Sequence, residues 1–297
     1  MTPRPWPAPL VGTQAHPDDV APPWAAHVQG ISHGSEHWFI TQEDRLWRVP
    51  MALELGNTRE DHPEVLVTGI PEREVDHLGD CGVAGERLYV AMEGTDPASV
   101  GIFDLDLRYH GAAAVAPQGA ECPWCAIDPR DSVLYSSRFH ADRLYAYRPE
   151  ERSGGLELAV AGEVALRSVD GVPLYLPRVQ GGAFSADGHL FVTSDVRGGG
   201  LLGVDVTTGE CRVQAPIPYE PDWPAENVIE GLDVVDLTDG AAPNMSGVVH
   251  VLVFDAHGPR PDYVWLRHFD VADEADRVYF QADPSGRSSA GPAVRTP

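Results

Sequence analysis

The sequence predicts an all-β chain folded as a five-bladed β-propeller with four antiparallel strands per blade, a six-bladed ring being the alternative. Three observations carry this. The stretch 179–195, VQGGAFSADGHLFVTSD, reads as a strand, a tight turn at Asp187-Gly188 and a second, apolar strand, and versions of it recur at 28–43, 77–93, 123–139 and 229–255. The inner strands of these repeats begin near Gln29, Gly79, Trp124, Gln180 and Glu230, a pitch of roughly 50 residues that suits four short strands and their turns. The 30 glycines and 27 prolines are scattered, and almost no stretch spaces apolar residues three and four apart over a helix length.

Taken in order, residues 1–25 are rich in Pro and Ala and read as a leader, or as a closing strand around 10–13. The first repeat supplies short strands at 29–32, 37–41, 45–49 and 64–68. In the second and third repeats the third strand is VGIFDLD (100–106) and DRLYAYRP (142–149), the latter echoing DRLWRVP at 44–50. The fourth continues with GLLGVDVTTGE (200–210), where Thr208-Gly209 makes the turn that ends a third strand. The fifth carries DYVWLRHFD (262–270) and then DRVYFQA (276–282). The propeller is thus expected over 26–282, followed by a disordered tail at 283–297. The long segment 149–176 keeps six blades open.

Composition narrows the function. The chain holds 45 acids against 21 bases for a formal net charge of −24, and every one of those bases is arginine. Without lysine there is no Schiff-base mechanism, and the acidic balance argues against nucleic acid or anionic membrane as partners. The first residues lack the apolar core of a secretory signal, no apolar run has the length to span a bilayer, and four cysteines make no disulfide framework, so the expected location is cytoplasmic.

The hairpin form, Q/E-G or H-x-G-D leading into an apolar strand and D-G before a second, resembles that of the propellers related to gluconolactonase/SMP-30, strictosidine synthase and virginiamycin B lyase. The resemblance covers the blade pattern and implies an active site in a polar funnel at one end of the central axis, often with a divalent metal. Strand geometry points to the same place. The first two strands of a blade are antiparallel, so the start of one and the end of the other share a face. The starts offer Gln29, His77 with Asp80, Trp124, Gln180 and Glu230. The ends offer Glu43, Glu93, Phe139, Asp195 and Asp255, acids in four of five blades.

Acids after strands also begin ordinary turns, and that reading stays open. As a site, clustered carboxylates hold a hard cation or push one another's pKa values apart. The roles that follow are Glu93 and Glu230 as general base or as ligands of one divalent cation such as calcium, His77 as acid or proton shuttle, and Asp80 as its orienting partner or as a ligand. Gln29, Gln180, Trp124, Phe139 and Asp195 would contact a small-molecule substrate, and Arg138 would bind its carboxylate. The expected function is a hydrolase, lyase or cyclising isomerase, with a non-catalytic scaffold for a protein or small ligand as the alternative.

Other motifs carry less. Gly30-Ile31-Ser32-His33-Gly34 spells G-x-S-x-G without the helix a nucleophile elbow needs. Cys122-x-x-Cys125 has half a zinc site's spacing and reads as buried thiols, His33 and His37 flank a turn, and His250 reads as a packed residue.

Overall fold

The computed structural model describes residues 10–16, 22–70, 72, 74–152, 155–194, 200–217, 227–255 and 263–272. They form five sheets, and among them there is no α-helix, only short 3-10 turns at Pro23–Ala25, Leu55–Asn57 and Ala116–Gln118. Blade 1 is Val28–His33, His37–Gln42, Arg45–Pro50 and Leu66–Gly69. Blade 2 is His77–Ala84, Arg87–Glu93, Ser99–Asp104 and Tyr109–Ala114. Blade 3 is Ala126–Ile127, Leu134–Ser136, Arg143–Arg152 and Gly155–Ala165. Blade 4 is Gly182–Phe184, Leu190–Thr193, Gly200–Val204 and Glu210–Pro216.

Blade 5 closes the ring with chain from both ends. Its inner strands are Asn227–Val234, Val249–Asp255 and Tyr263–Val271, and its outer strand is Leu10–His16, antiparallel to Tyr263–Val271. The segments 276–282 and 283–297 lie outside the described residues. The excess sequence at 149–176 makes no sixth blade. It lengthens the outer hairpin of blade 3, and Arg167–Ser168 then pairs in parallel with the outer strand of blade 4.

Second strands are buried along most of their length because both of their faces meet a neighbouring blade. His37–Gln42 is buried at every residue but the first. Between blades 5 and 1, Ile31, Trp38 and Trp47 pack on Leu252 and Leu266, and Trp24 joins them with its indole N–H on the Leu55 carbonyl at 2.9 Å. Each such large side chain removed from water stabilises the fold by about 1.5–3 kcal/mol. The outer strand Gly155–Ala165, with one side on solvent, alternates instead.

At the axle the inner strands crowd too closely for side chains. A Cβ on Gly30 would lie 2.4 Å from Asp80 Oδ1, and one on Gly231 would lie 2.6 Å from the same oxygen. The register slips next to these glycines, between Val28 and Gly30, Leu78 and Cys81, and Ile229 and Leu232. Such bulges release N–H groups from their ladders. Asp80 gathers them: Oδ1 accepts from Ile31 N (3.0 Å) and Cys81 N (2.9 Å), Oδ2 from Gly182 N and Leu232 N (both 3.3 Å). Its own N–H donates to the Pro123 carbonyl at 2.8 Å. One fully buried carboxylate thus joins four blades directly, and its backbone reaches the fifth.

Candidate active site

Two faces of the disc carry polar groups: an upper face where inner strands begin and second strands end, and a lower face where inner strands end. On the upper face the blade 2 hairpin closes on the pair His77 and Glu93, directly opposite in the ladder. Glu93 Oε1 accepts the N–H of Cys122, at the start of blade 3, at 2.6 Å. Glu121, one residue earlier, turns its Oε2 to the N–H of Phe139 at 3.2 Å. Burial pushes the Glu93 carboxyl above its ordinary pKa; the Cys122 N–H and His77 act against this, and the charges of Glu121 and Asp76 add to it. This is a carboxyl of raised pKa beside an imidazole and two further acids, the equipment for moving protons.

The remaining predicted residues of this face have separate partners. Glu230 is buried and accepts from the Gln180 amide, which also reaches the Ile229 carbonyl at 3.3 Å. Gln29 is half-buried and reaches the His27 carbonyl at 3.5 Å. Phe139 is half-buried, with the His140 ring 5.0 Å away and the Arg178 guanidinium 5.9 Å from its centroid. Asp195 lies outside the described residues. Glu93 and Glu230, expected as ligands of one cation, meet different blades, Glu93 against blade 3 and Glu230 against blade 4. Among the described residues no three His, Cys, Asp or Glu side chains converge on one point.

Three expectations meet a different geometry. Asp80 does not orient His77: all four of its hydrogen bonds go to backbone N–H groups at the axle, because the bulged inner strands leave donors there that only a carboxylate can satisfy together. Burial drives its carboxyl well above the carboxylate range, with the four N–H bonds pulling the other way. Trp124 lines no open wall. It is fully buried, its indole N–H bonds Ser137 Oγ at 2.8 Å, and its ring fills the space over Gly182, where a Cβ would come within 2.3 Å of it. Arg138 directs its fork onto the carbonyls of Gln118 (2.9 Å) and Pro117 (3.3 Å) in the 3-10 turn before blade 3.

The lower face makes a pairing that the sequence reading did not give. His33, at the end of the blade 1 inner strand, directs Nδ1 at both oxygens of Asp233 in blade 5, at 2.8 and 3.0 Å. Burial acts to lower the His33 pKa, but the charge and hydrogen bond of Asp233 outweigh it and hold it above the ordinary value. Beneath lie His250 and His268, both buried, with Nδ1 atoms 2.7 Å apart. His250 Nε2 faces the Val235 carbonyl at 2.9 Å, so it carries the proton; its Nδ1 is then the acceptor and His268 Nδ1 the donor. Burial lowers the His250 pKa to about 4. The available signal was His33 and Asp233 near the ends of inner strands in two blades that the ring makes neighbours.

A five-bladed propeller with polar groups at both ends of a filled axle is thus the class of protein the fold defines. No family model and no curated protein matches the chain. Among solved structures it is similar to the glutaminyl cyclase of Myxococcus xanthus, with a TM-score of 0.55 and 15% identity over 89% of this chain and 97% of that one. It also matches a luciferin-regenerating enzyme (TM-score 0.47, 14% identity, 81% of this chain and 77% of that one). The virginiamycin B lyase of Staphylococcus aureus gives a TM-score of 0.41 at 9% identity, over 90% of this chain and 89% of that one. At such identities the shared property is the propeller fold. No helix among the described residues is long and apolar enough to cross a membrane.

Proposed function

We propose that this protein is a small-molecule enzyme, a hydrolase, lyase or cyclising isomerase, that performs acid–base chemistry on the upper face. The observation that carries this reading is Glu93: half-buried, held by the Cys122 N–H, ringed by His77, Glu121 and Asp76, and raised in pKa. A carboxyl with a raised pKa holds its proton to higher pH than an ordinary one and can give it to a leaving oxygen or nitrogen, and His77 across the ladder can take one from the attacking group. Phe139, whose N–H bonds Glu121, supplies an apolar wall. That the Myxococcus xanthus glutaminyl cyclase uses this architecture supports a cyclising or acyl-transfer reaction within the range.

The test is a screen of lactones, esters, glycosides and N-terminal glutaminyl peptides, followed by Glu93→Gln on whichever is turned over. Loss of about a hundredfold in kcat with no fall in melting temperature is the expected result. A variant as active as the parent, or no turnover of any of these classes, leaves the scaffold reading in its place.

A further inference from the structure

His33 has three properties that the upper-face reading does not use. Its Nδ1 is fixed by the Asp233 carboxylate, two hundred residues away in sequence. Its side chain is 20% exposed while that of Asp233 is 5% exposed, so the carboxylate is sealed behind the ring. Its Nε2 has no hydrogen-bond partner among the described residues, and the exposed fraction of the ring opens it to solvent. A carboxylate behind an imidazole sets the tautomer with the proton on Nδ1, leaves the lone pair on Nε2, and stabilises the imidazolium once Nε2 takes a proton. These are the requirements of a general base.

We propose that His33 and Asp233 form a second acid–base site, on the lower face, in which His33 Nε2 activates water against a small uncharged ester or lactone and Asp233 is the positioning residue. In the step, Nε2 accepts a proton as the water oxygen bonds to the carbonyl carbon. The bond from that carbon to the alcohol oxygen then breaks with its electron pair on oxygen, which takes the proton back from Nε2. One water is consumed, and one acid and one alcohol form. The substrate class follows from the surroundings. Asp233 and Asp236 and a chain charge of −24 repel anions, and the small exposure of His33 admits only a compact group.

The titratable groups packed around the pair are Asp233 in blade 5, His250 and His268 on the adjoining strands with Asp236 close to His250, and Cys81 on the inner strand of blade 2. Asp233 is the one that bonds the His33 ring.

The experiment is hydrolysis of p-nitrophenyl acetate by the full chain, followed as p-nitrophenolate across pH. The parent rate should rise through a midpoint above the ordinary histidine value of 6.5. His33→Gln should lower the rate by at least about tenfold. Asp233→Asn should lower it and move the midpoint downward, a shift that loss of packing alone would not produce. His110→Gln, an exposed histidine on the outer strand of blade 2, should leave the rate unchanged. A parent-like rate in His33→Gln overturns the proposal, as does an unmoved midpoint in a folded Asp233→Asn. Should Asp233→Asn fail to fold, the His33→Gln rate decides alone.

Discussion

The two faces of the disc use the same side-chain types to opposite effect. On the upper face a carboxyl, Glu93, is raised in pKa because burial and neighbouring acids disfavour its charge. On the lower face a carboxylate is spent on a histidine, whose pKa rises because that charge is close. A carboxyl among acids becomes an acid, whereas a carboxylate behind an imidazole makes a base. Asp80 stands between the two, filling the axle with neither role. The lesson is that residue type alone assigns no chemistry in a propeller; the partner supplied by the next blade does.

The largest test of this division is Asp80→Ala. Four buried backbone N–H groups would lose their acceptor, at about 1–3 kcal/mol each, so a loss of about 4 kcal/mol or more is expected in denaturant melts. Both faces should fail together. If the variant instead melts like the parent and loses activity only, Asp80 belongs to a site and the division is wrong.

The lower face should also be the acid-labile one. His250 has its pKa lowered to about 4, so as pH falls below about 6.5 the unfolded chain takes up a proton that the folded chain refuses. Stability should therefore drop between about pH 6.5 and pH 4 by a few kcal/mol, then level off. His250→Phe should flatten that part of the profile; an unchanged slope would remove His250 as its cause. Packing at the blade 3 and blade 4 boundary should matter less. Gly182→Ala presses a methyl group into the Trp124 ring and should cost about 1–3 kcal/mol, read as a lower melting temperature with no pH dependence.

The smallest effect distinguishes the upper face. Because the folded state holds the Glu93 proton more tightly than the unfolded chain, its ionisation above that raised pKa weakens the fold. Glu93→Gln keeps an acceptor for Cys122 N–H and removes the charge. The melting temperature should rise slightly at pH 8 and stay unchanged at pH 4. A fall at pH 8 would mean that the ionised carboxylate holds the blades together, and the comparison with Asp80 would collapse.

The hairpin pattern made the inner strands legible, and with them the ladder pair His77 and Glu93, because alternation and turn residues act within about fifteen residues of chain. The glycines beside Gln29, Gln180 and Glu230 were legible as a motif, though their reason was not. They are small because a neighbouring strand, or Asp80 itself, occupies the space of a Cβ. Arg138 was misplaced because the sequence gives a residue's position on a strand and says nothing of where a long fork turns; two carbonyls of the preceding turn decide that.

By itself the sequence determined a repeat, its period and the pairing of His77 with Glu93, since these follow from local hydrogen bonding and the two-residue alternation of strands. Blade number, the closure of the last blade by Leu10–His16, the use of Asp80 at the axle and the meeting of His33 with Asp233 were decided only when the ring closed. Each of these needs atoms from segments far apart in the chain. The physical reason is that bulged inner strands must find partners for their freed N–H groups, and only the closed ring brings those donors within reach of one carboxylate.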